Sequence, residues 1–430
     1  MIDFSKKIKD KVWLISVDMG YGHQRTAYPL EHLSLGGKFI SANNYLGIPK
    51  KDKKIWETSK KGYDFISAFS RVPVIGNIVF SIFDKFQEIS SFYPARDLSK
   101  PTFQLKQNYN LIKKGWGKDL IERIKEKPLP LITTFFTPAF MAEYFEYPGE
   151  IYCVIPDTDI SRSWVALNPK KSRIKYLAPN SRVVERLQLY GVDPDNIYLT
   201  GYPLPLENIG GENMEILKKD LKNRLLNLDP QKSYFQTYNK MILNELGELP
   251  SFSGRPLTLM FAVGGAGAQK EIGIKIVENL SDKLIAGEVK IILVAGIKEI
   301  VRNYFVQNLK KLGLDEKVEI IFAGNINSYF EKFNKALRET DILWTKPSEL
   351  SFYSALGLPI LIAPPIGSQE RFNKRWLLKS GFGLAQGDLV HIEQWLFDWL
   401  DKGYFAEIAM ESYMEGKQLG TIIIEKLCCG

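Results

Sequence analysis

Cysteine is scarce in this chain. Three residues in 430, Cys153, Cys428 and Cys429, cannot build a disulfide framework and show no CxxC spacing, which fits a reducing compartment. The ending Cys428-Cys429-Gly430 is not a CaaX box. It reads as the end of a helix, with lipid attachment as the lesser alternative. Histidine is equally scarce, at three residues, so few side chains are suited to proton transfer near neutral pH. There is no low-complexity tract and no repeat period. No uncharged run reaches about twenty apolar residues, so no membrane span is expected. The first residues are charged and the apolar run 12–17 is strand-length, so no signal peptide is read.

What is present describes a globular protein: 45% hydrophobic and 25% charged residues over a length that favours two or three domains. A net charge of +8 and a pI near 9.0 favour anionic partners such as nucleotides or phospholipid headgroups. A modest basic excess that only aids solubility is the bland alternative. Nucleic acid is disfavoured, because the basic residues are not interleaved with an aromatic binding pattern.

Apolar runs alternate with helix-period segments, which predicts parallel α/β layers. In the first half the expected strands are 12–18 (VWLISVD), 129–136, 150–157, 173–180 and 196–203. A helix from Ser181 is stopped by Gly191. Residues 206–256 turn helical and polar and read as a linker with an added helical piece. A second α/β half follows, with strands in LTLMFAVGG, KIILVAG, VEIIFAG, DILWTK and PILIAP, and the chain ends in a helix over 404–427. Between 60 and 100 the pattern differs. Ile75, Ile78, Val79, Ile82, Phe83, Phe86 and Ile89 form one apolar face at helical spacing, downstream of Lys50, Lys51, Lys53, Lys54, Lys60 and Lys61. That makeup suits an interfacial membrane contact, and it equally suits a face packed on the domain core.

Several segments carry candidate chemistry. In SVDMGYGHQR, Gly20 and Gly22 permit a tight turn and close approach of a ligand. His23 follows at a helix start and can accept the proton of an attacking hydroxyl, with Asp18 placed to orient it. In FAVGGAGAQKEIG, Gly264, Gly265 and Gly267 offer backbone N–H groups to a diphosphate at a helix amino end, although the pattern is neither Walker A nor G-x-G-x-x-G. In WTKPSELSFYSALGLPILIAPPIGSQERFN, polar residues follow an apolar strand, a short amphipathic helix is expected, and a second buried strand empties into Gly367-Ser368-Gln369-Glu370. Loops at the carboxyl ends of parallel strands are where open α/β sheets bind ligands. Asp157-Thr158-Asp159 has the D-x-D form that invites a metal reading.

The order of these elements, over roughly residues 12–383, resembles glycosyltransferases built from two Rossmann-like domains of the GT-B type. The likeness is to monogalactosyldiacylglycerol synthases and to the N-acetylglucosaminyltransferase that forms lipid II. The resemblance implies an α/β fold with two facing Rossmann-like domains, a cleft between them and a C-terminal helix crossing back. The implied division is 1–205 for the acceptor, with an amphipathic insert at 60–100, then 206–256 as linker. Residues 257–403 would take the nucleotide-sugar, and 404–430 would return to the first domain.

Residue by residue, the resemblance makes His23 the general base and Asp18 its partner, with Gly20, Gly22, Asp157 and Trp164 on the acceptor side. Asp157 and Trp164 fall in register with a T-D-x-x-x-H-x-x-W segment in which Ser161 replaces the histidine. This favours a role in the acceptor site over a metal site. Gly264, Gly265 and Gly267 would hold the donor phosphates with Lys346 and Ser348. Ile326 would hold a uracil through its backbone, Glu349 the ribose, and Gln369 and Glu370 the sugar hydroxyls, with Asn373 pinning the loop. The TKPSEL loop departs from the family's glycine-containing patterns and carries Ser354 near the usual glutamate. The implied reaction is inverting transfer of a hexosyl or N-acetylhexosaminyl group from a UDP-sugar. The acceptor would be a lipid-linked hydroxyl, with no metal and no cofactor beyond the co-substrate. The implied place is cytoplasmic, peripheral on the inner membrane face. Two rivals share this fold: a nucleotide-sugar epimerase, which would carry further acid/base carboxylates, and a non-catalytic sugar- or nucleotide-binding relative.

Overall fold

Runs of Val, Ile and Leu that are buried on both faces form the centres of two wholly parallel sheets, as expected where helices cover each side. The computed structural model describes residues 11–69, 89–94, 96–264 and 267–429. The chain divides into two units. One comprises Met1–Leu204, Ile366–Phe372 and Leu419–Gly430, and the other Pro205–Pro365 and Asn373–Gln418.

The first unit holds β1 (Trp13–Ser16), β2 (Ile40–Ser41), β3 (Leu131–Thr133), β4 (Ile151–Val154), β5 (Lys175–Ala178) and β6 (Ile197–Leu199). Among the described residues their order is β2-β1-β3-β4-β5-β6. Alternation along each strand sends side chains to opposite faces. Leu14, Ile132, Tyr152 and Val154 face one apolar cluster, while Ile15, Leu131, Ile151 and Cys153 face the other. The helix Gly420–Cys429 closes the first of these clusters with Ile424 and Cys428. Gly420 is required there, because a Cβ would lie 2.2 Å from the Tyr202 carbonyl oxygen. Thr421 Oγ1 donates to the Leu204 carbonyl beside it. Cys428 is therefore a core residue, and burial pushes its thiol pKa up.

The helix Lys50–Phe69 turns Asp52 and Trp56 inward and leaves Lys50, Lys51, Lys53 and Lys54 exposed. The apolar face expected over Ile75 to Phe86 lies outside the described residues; Ile89 at its end is buried. No helix among the described residues is long and apolar enough to cross a membrane.

The second unit holds β7 (Leu257–Ala262), β8 (Val289–Gly296), β9 (Glu319–Phe322), β10 (Ile342–Thr345), β11 (Ile360–Ile362) and β12 (Gly383–Ala385). Their order among the described residues is β12-β11-β10-β7-β8-β9. Two Rossmann-like sheets are thus present, as the α/β reading expects. Residues 206–256, read from sequence as a linker, pack as part of this unit. The helix Glu215–Leu228 buries Arg224, whose guanidinium donates to the carbonyls of Thr340 (2.8 Å), Leu356 (2.8 Å) and Gly357 (3.0 Å). Burial pushes the Arg224 pKa down to about 10, so the side chain still enters this site charged at neutral pH.

The short amphipathic helix expected after the TKPSEL loop is a 3-10 helix, Glu349–Leu356, and every residue from Leu350 to Leu356 is buried. It has no polar face because the helix Tyr404–Glu415 packs against it.

Candidate active site

In each sheet the strand order reverses at one point, and the loops leaving the two strands there flank a crevice that suits ligand binding. In the first unit this point lies between β1 and β3, and in the second between β7 and β10. The residues singled out from sequence fall largely at these two places.

After β1 the chain passes through Asp18 and Gly20 into the helix Tyr21–Ala27. Asn43 holds the turn from both sides. Its Oδ1 accepts from the Asp18 N–H at 2.9 Å, and its Nδ2 donates to the Asp18 carbonyl at 3.1 Å. Gly20 has φ of 105°, a left-handed conformation that side-chain-bearing residues rarely adopt, and no atom lies within 4 Å of where its Cβ would be. Asp18 is exposed and His23 is half-buried.

His23 Nδ1 lies 2.9 Å from the carbonyl oxygen of Thr134, just beyond β3. A carbonyl can only accept, so Nδ1 carries the proton in the neutral ring and Nε2 carries the lone pair. Thr134 is itself fixed. Its N–H donates to Ile15 O at 3.1 Å, and its hydroxyl donates to the His23 carbonyl at 2.9 Å while lying 2.9 Å from Ser16 Oγ. Phe135 meets the imidazole edge-on at 4.8 Å between centroids, and Trp164 lies 6.2 Å away. A base that is held in one tautomer against apolar rings is equipped to take a proton at Nε2. Thr134 was not singled out from sequence; the only signal is its position at the end of an apolar run.

Trp164 sits on a 3-10 turn, Arg162–Trp164, that Arg162 stitches down. That guanidinium donates to the carbonyls of Ser99 (2.8 Å), Val165 (2.7 Å) and Ala166 (3.0 Å). Ser161 shares a 2.6 Å hydrogen bond with Ser163. Asp157 is half-buried after β4. Asp159, the second carboxylate of the D-x-D stretch, is taken by Arg186 in a bidentate ion pair with both contacts at 2.8 Å. Among the described residues, no three His, Cys, Asp or Glu side chains are grouped as metal ligands would be. Gln369, in the same unit, donates through Nε2 to the Asp159 carbonyl at 2.9 Å. Glu370 accepts the Ile366 N–H at 2.6 Å, a capping use of its carboxylate.

At the second reversal point the structure brings together two donor-side candidates. Lys346, just beyond β10, lies across Gly264, just beyond β7; a Cβ on Gly264 would stand 2.2 Å from Lys346 Cε. Thr345 Oγ1 also bridges these strands by donating to the Ala262 carbonyl at 3.1 Å. Gly267 has φ of 68° and donates its N–H to the Gly264 carbonyl at 2.8 Å. Gly265 lies outside the described residues.

Ser348 caps the buried 3-10 helix by accepting the Leu350 N–H at 3.4 Å, and Glu349 is that helix's first residue, half-buried. Asn373 donates to the Pro347 carbonyl at 3.3 Å and so holds the TKPSEL loop. Ile326 opens the helix Ile326–Leu337, whose amino end Asn325 caps. β9, which leads to it, is two strands from β7, roughly 10 Å across the sheet.

No family model matches the chain. It is similar to the processive diacylglycerol beta-glucosyltransferase of Bacillus subtilis (strain 168), at 22% identity over 388 residues, covering 87% of this chain and 83% of that protein. The enzyme of the same description from Bacillus licheniformis is 21% identical over 372 residues, covering 84% and 79%. The chain resembles lipid glucosyltransferases. Among solved structures, that of Acinetobacter baumannii MurG is similar with a TM-score of 0.46 at 11% identity, over 97% of this chain and 99% of that one. The likeness to glycosyltransferases read from the motifs is borne out by the two Bacillus relatives.

Proposed function

We propose that this protein transfers a sugar from a UDP-sugar to a lipid hydroxyl, with inversion at the anomeric carbon and without a metal ion. The observation that carries the reading is the His23 imidazole, held by the Thr134 carbonyl at the strand-order reversal so that Nε2 is the proton acceptor. In this reaction the acceptor O–H gives its proton to Nε2. Its oxygen bonds to the anomeric carbon from the face opposite the nucleotide, and the bond to the diphosphate oxygen breaks. The leaving group gains negative charge, which the Gly264–Gly267 loop amides, the following helix amino end and Lys346 offset.

The remaining roles follow the resemblance. Asp18, Gly20, Gly22, Asp157 and Trp164 serve the acceptor. Ile326, Ser348 and Glu349 serve the nucleotide, and Gln369 and Glu370 the sugar. The names of the Bacillus relatives support a lipid acceptor and a hexosyl donor. Commitment of Asp159 to Arg186 supports a reading of the D-x-D stretch as scaffold, not metal site. A membrane-peripheral place suits such an acceptor, and the three free cysteines suit a reducing, cytoplasmic compartment.

The test begins with calorimetric titration of UDP, GDP, ADP and their sugar conjugates. It continues with the bound donor and diacylglycerol in mixed micelles, and the anomeric configuration of the product is read by NMR. Selective binding of one UDP-sugar and a product of inverted configuration are expected. Conversion of the UDP-sugar to its epimer without acceptor would replace this reading with an epimerase.

A further inference from the structure

Four described residues other than glycine hold a left-handed backbone: Glu146, Met214, Lys232 and Gln269. Of these, Gln269 alone stands at a strand-order reversal, between β7 and the helix Lys270–Asn279. Its φ of 64° is one that glycine takes freely and that a side chain makes strained. Such strain persists where the surroundings over-determine it, and here the side chain supplies the constraint.

Gln269 Nε2 donates to the Pro364 carbonyl at 2.8 Å, across 95 positions of sequence. Pro364 lies just beyond β11, and β10 separates β11 from β7. The bond therefore ties together the loops on either side of β10, at the edge of the sheet where Lys346 leaves it. Neither Pro364 nor Pro365 has an N–H to give, so neither residue can tie this stretch down by donating. The Gln269 backbone meanwhile starts the helix, because its carbonyl accepts the Ile272 N–H at 3.1 Å. Lys270, the next residue, lies over the Tyr304 ring at 4.6 Å and so ties the same turn to the helix Glu299–Leu312 that follows β8.

A helix amino end binds an anion through N–H groups that point one way, and their aim is only as good as the hold on the first turn. We propose that Gln269 is a positioning residue for the donor. It holds the amino end of the helix Lys270–Asn279 to the loop after β11, so that the helix N–H groups stay aimed at the diphosphate. The proposal rests on the transferase reading only for the identity of that anion. Two roles of one residue can be told apart, since the turn needs only a left-handed backbone, whereas the brace needs the amide.

The experiment compares Gln269→Gly and Gln269→Asn with wild type in the full chain. Glycine takes the left-handed backbone without strain, and asparagine tolerates it but is one methylene shorter. Both variants therefore keep the turn and lose the bond. In calorimetry each is expected to bind UDP about tenfold more weakly, the scale of one lost hydrogen bond. Uridine affinity, read by ligand-observed NMR, should be unchanged. UDP affinity equal to wild type in either variant overturns the proposal, as does an equal loss for UDP and uridine. Amide hydrogen exchange without nucleotide reads the brace separately. Residues 272–277 are expected to exchange severalfold faster in both variants, and unchanged exchange overturns the brace. A wild type that binds no UDP while the variants show faster exchange sinks the transferase reading and keeps the brace, which then serves another anion. UDP binding with unchanged exchange in the variants does the reverse.

Discussion

His23 and Thr134 hold each other in both directions. The imidazole Nδ1 donates to the Thr134 carbonyl, and the Thr134 hydroxyl donates to the His23 carbonyl, each at 2.9 Å. The pair spans 111 positions of sequence and ties the helix after β1 to the end of β3. The ring's orientation is thereby set by backbone, which no side-chain substitution at residue 134 can delete outright.

His23→Ala is expected to lower kcat by about 100-fold or more, the scale of a lost general base, while the Kd for the UDP-sugar stays within a few-fold. Stopped assays for turnover and calorimetry for the donor check the two halves separately. In wild type, kcat/KM should fall on acidification, because the protonated imidazole has no lone pair to offer. Undiminished turnover in the alanine variant would remove His23 from the chemistry.

Gly264→Ala places a methyl group where Lys346 Cε now lies. The lysine tail is flexible and can move aside, so folding stability should change little. UDP-sugar affinity should fall about tenfold, or ~1.4 kcal/mol, and Lys346→Met should give a loss of the same order. A large drop in melting temperature with unchanged donor affinity would mean that the loop is structural only.

Arg186→Met leaves Asp159 charged, 6% exposed and without its bidentate partner. Breaking a buried pair on one side costs about 3–5 kcal/mol, which urea denaturation should show as a shifted midpoint. The double change Arg186→Met with Asp159→Leu should recover much of that loss, because it removes a buried carboxylate that would otherwise keep only the Ile160 N–H (2.9 Å) and the more distant Arg182 (3.9 Å). No recovery would mean that hydrogen bonds, not charge, set the cost.

Asp52 is buried, and desolvation is the main influence raising its pKa above the ordinary 3.8, against the lowering effect of the Gly117 N–H bond. A raised folded-state pKa means tighter proton binding in the folded form. The associated stability is present below the unfolded value and lost as pH rises through the folded one. Asp52→Asn keeps an acceptor for Gly117 without the buried charge. It should match or exceed wild type at pH 7, and the difference should shrink as pH falls through the raised pKa. Chemical denaturation across that range checks the sign; a variant that is less stable at pH 7 by a gap independent of pH would refute it.

The α/β class and the placement of most strands were legible as soon as the chain was read, because strands buried on both faces write themselves as runs such as LTLMFA and PILIAP. Two of the four edge strands, β2 and β12, were not. β2 spans two residues, β12 spans three, and neither is buried throughout, so no run marks them. The stretch after the TKPSEL loop was expected to be an amphipathic helix, with one face polar. Ser351, Tyr353 and Ser354 are instead buried, since packing on a neighbouring helix, not local pattern, decides what a side chain meets.

The glycine turns, His23 and the TKPSEL loop could be named from spacing, for a tight turn or helix start is a local property of the chain. Which residues complete them could not. Thr134 beneath His23, Lys346 over Gly264 and Arg186 on Asp159 all join positions far apart in sequence. Their contacts exist only once strand order has brought the loops together, and strand order is set by burial and crossover geometry over the whole unit.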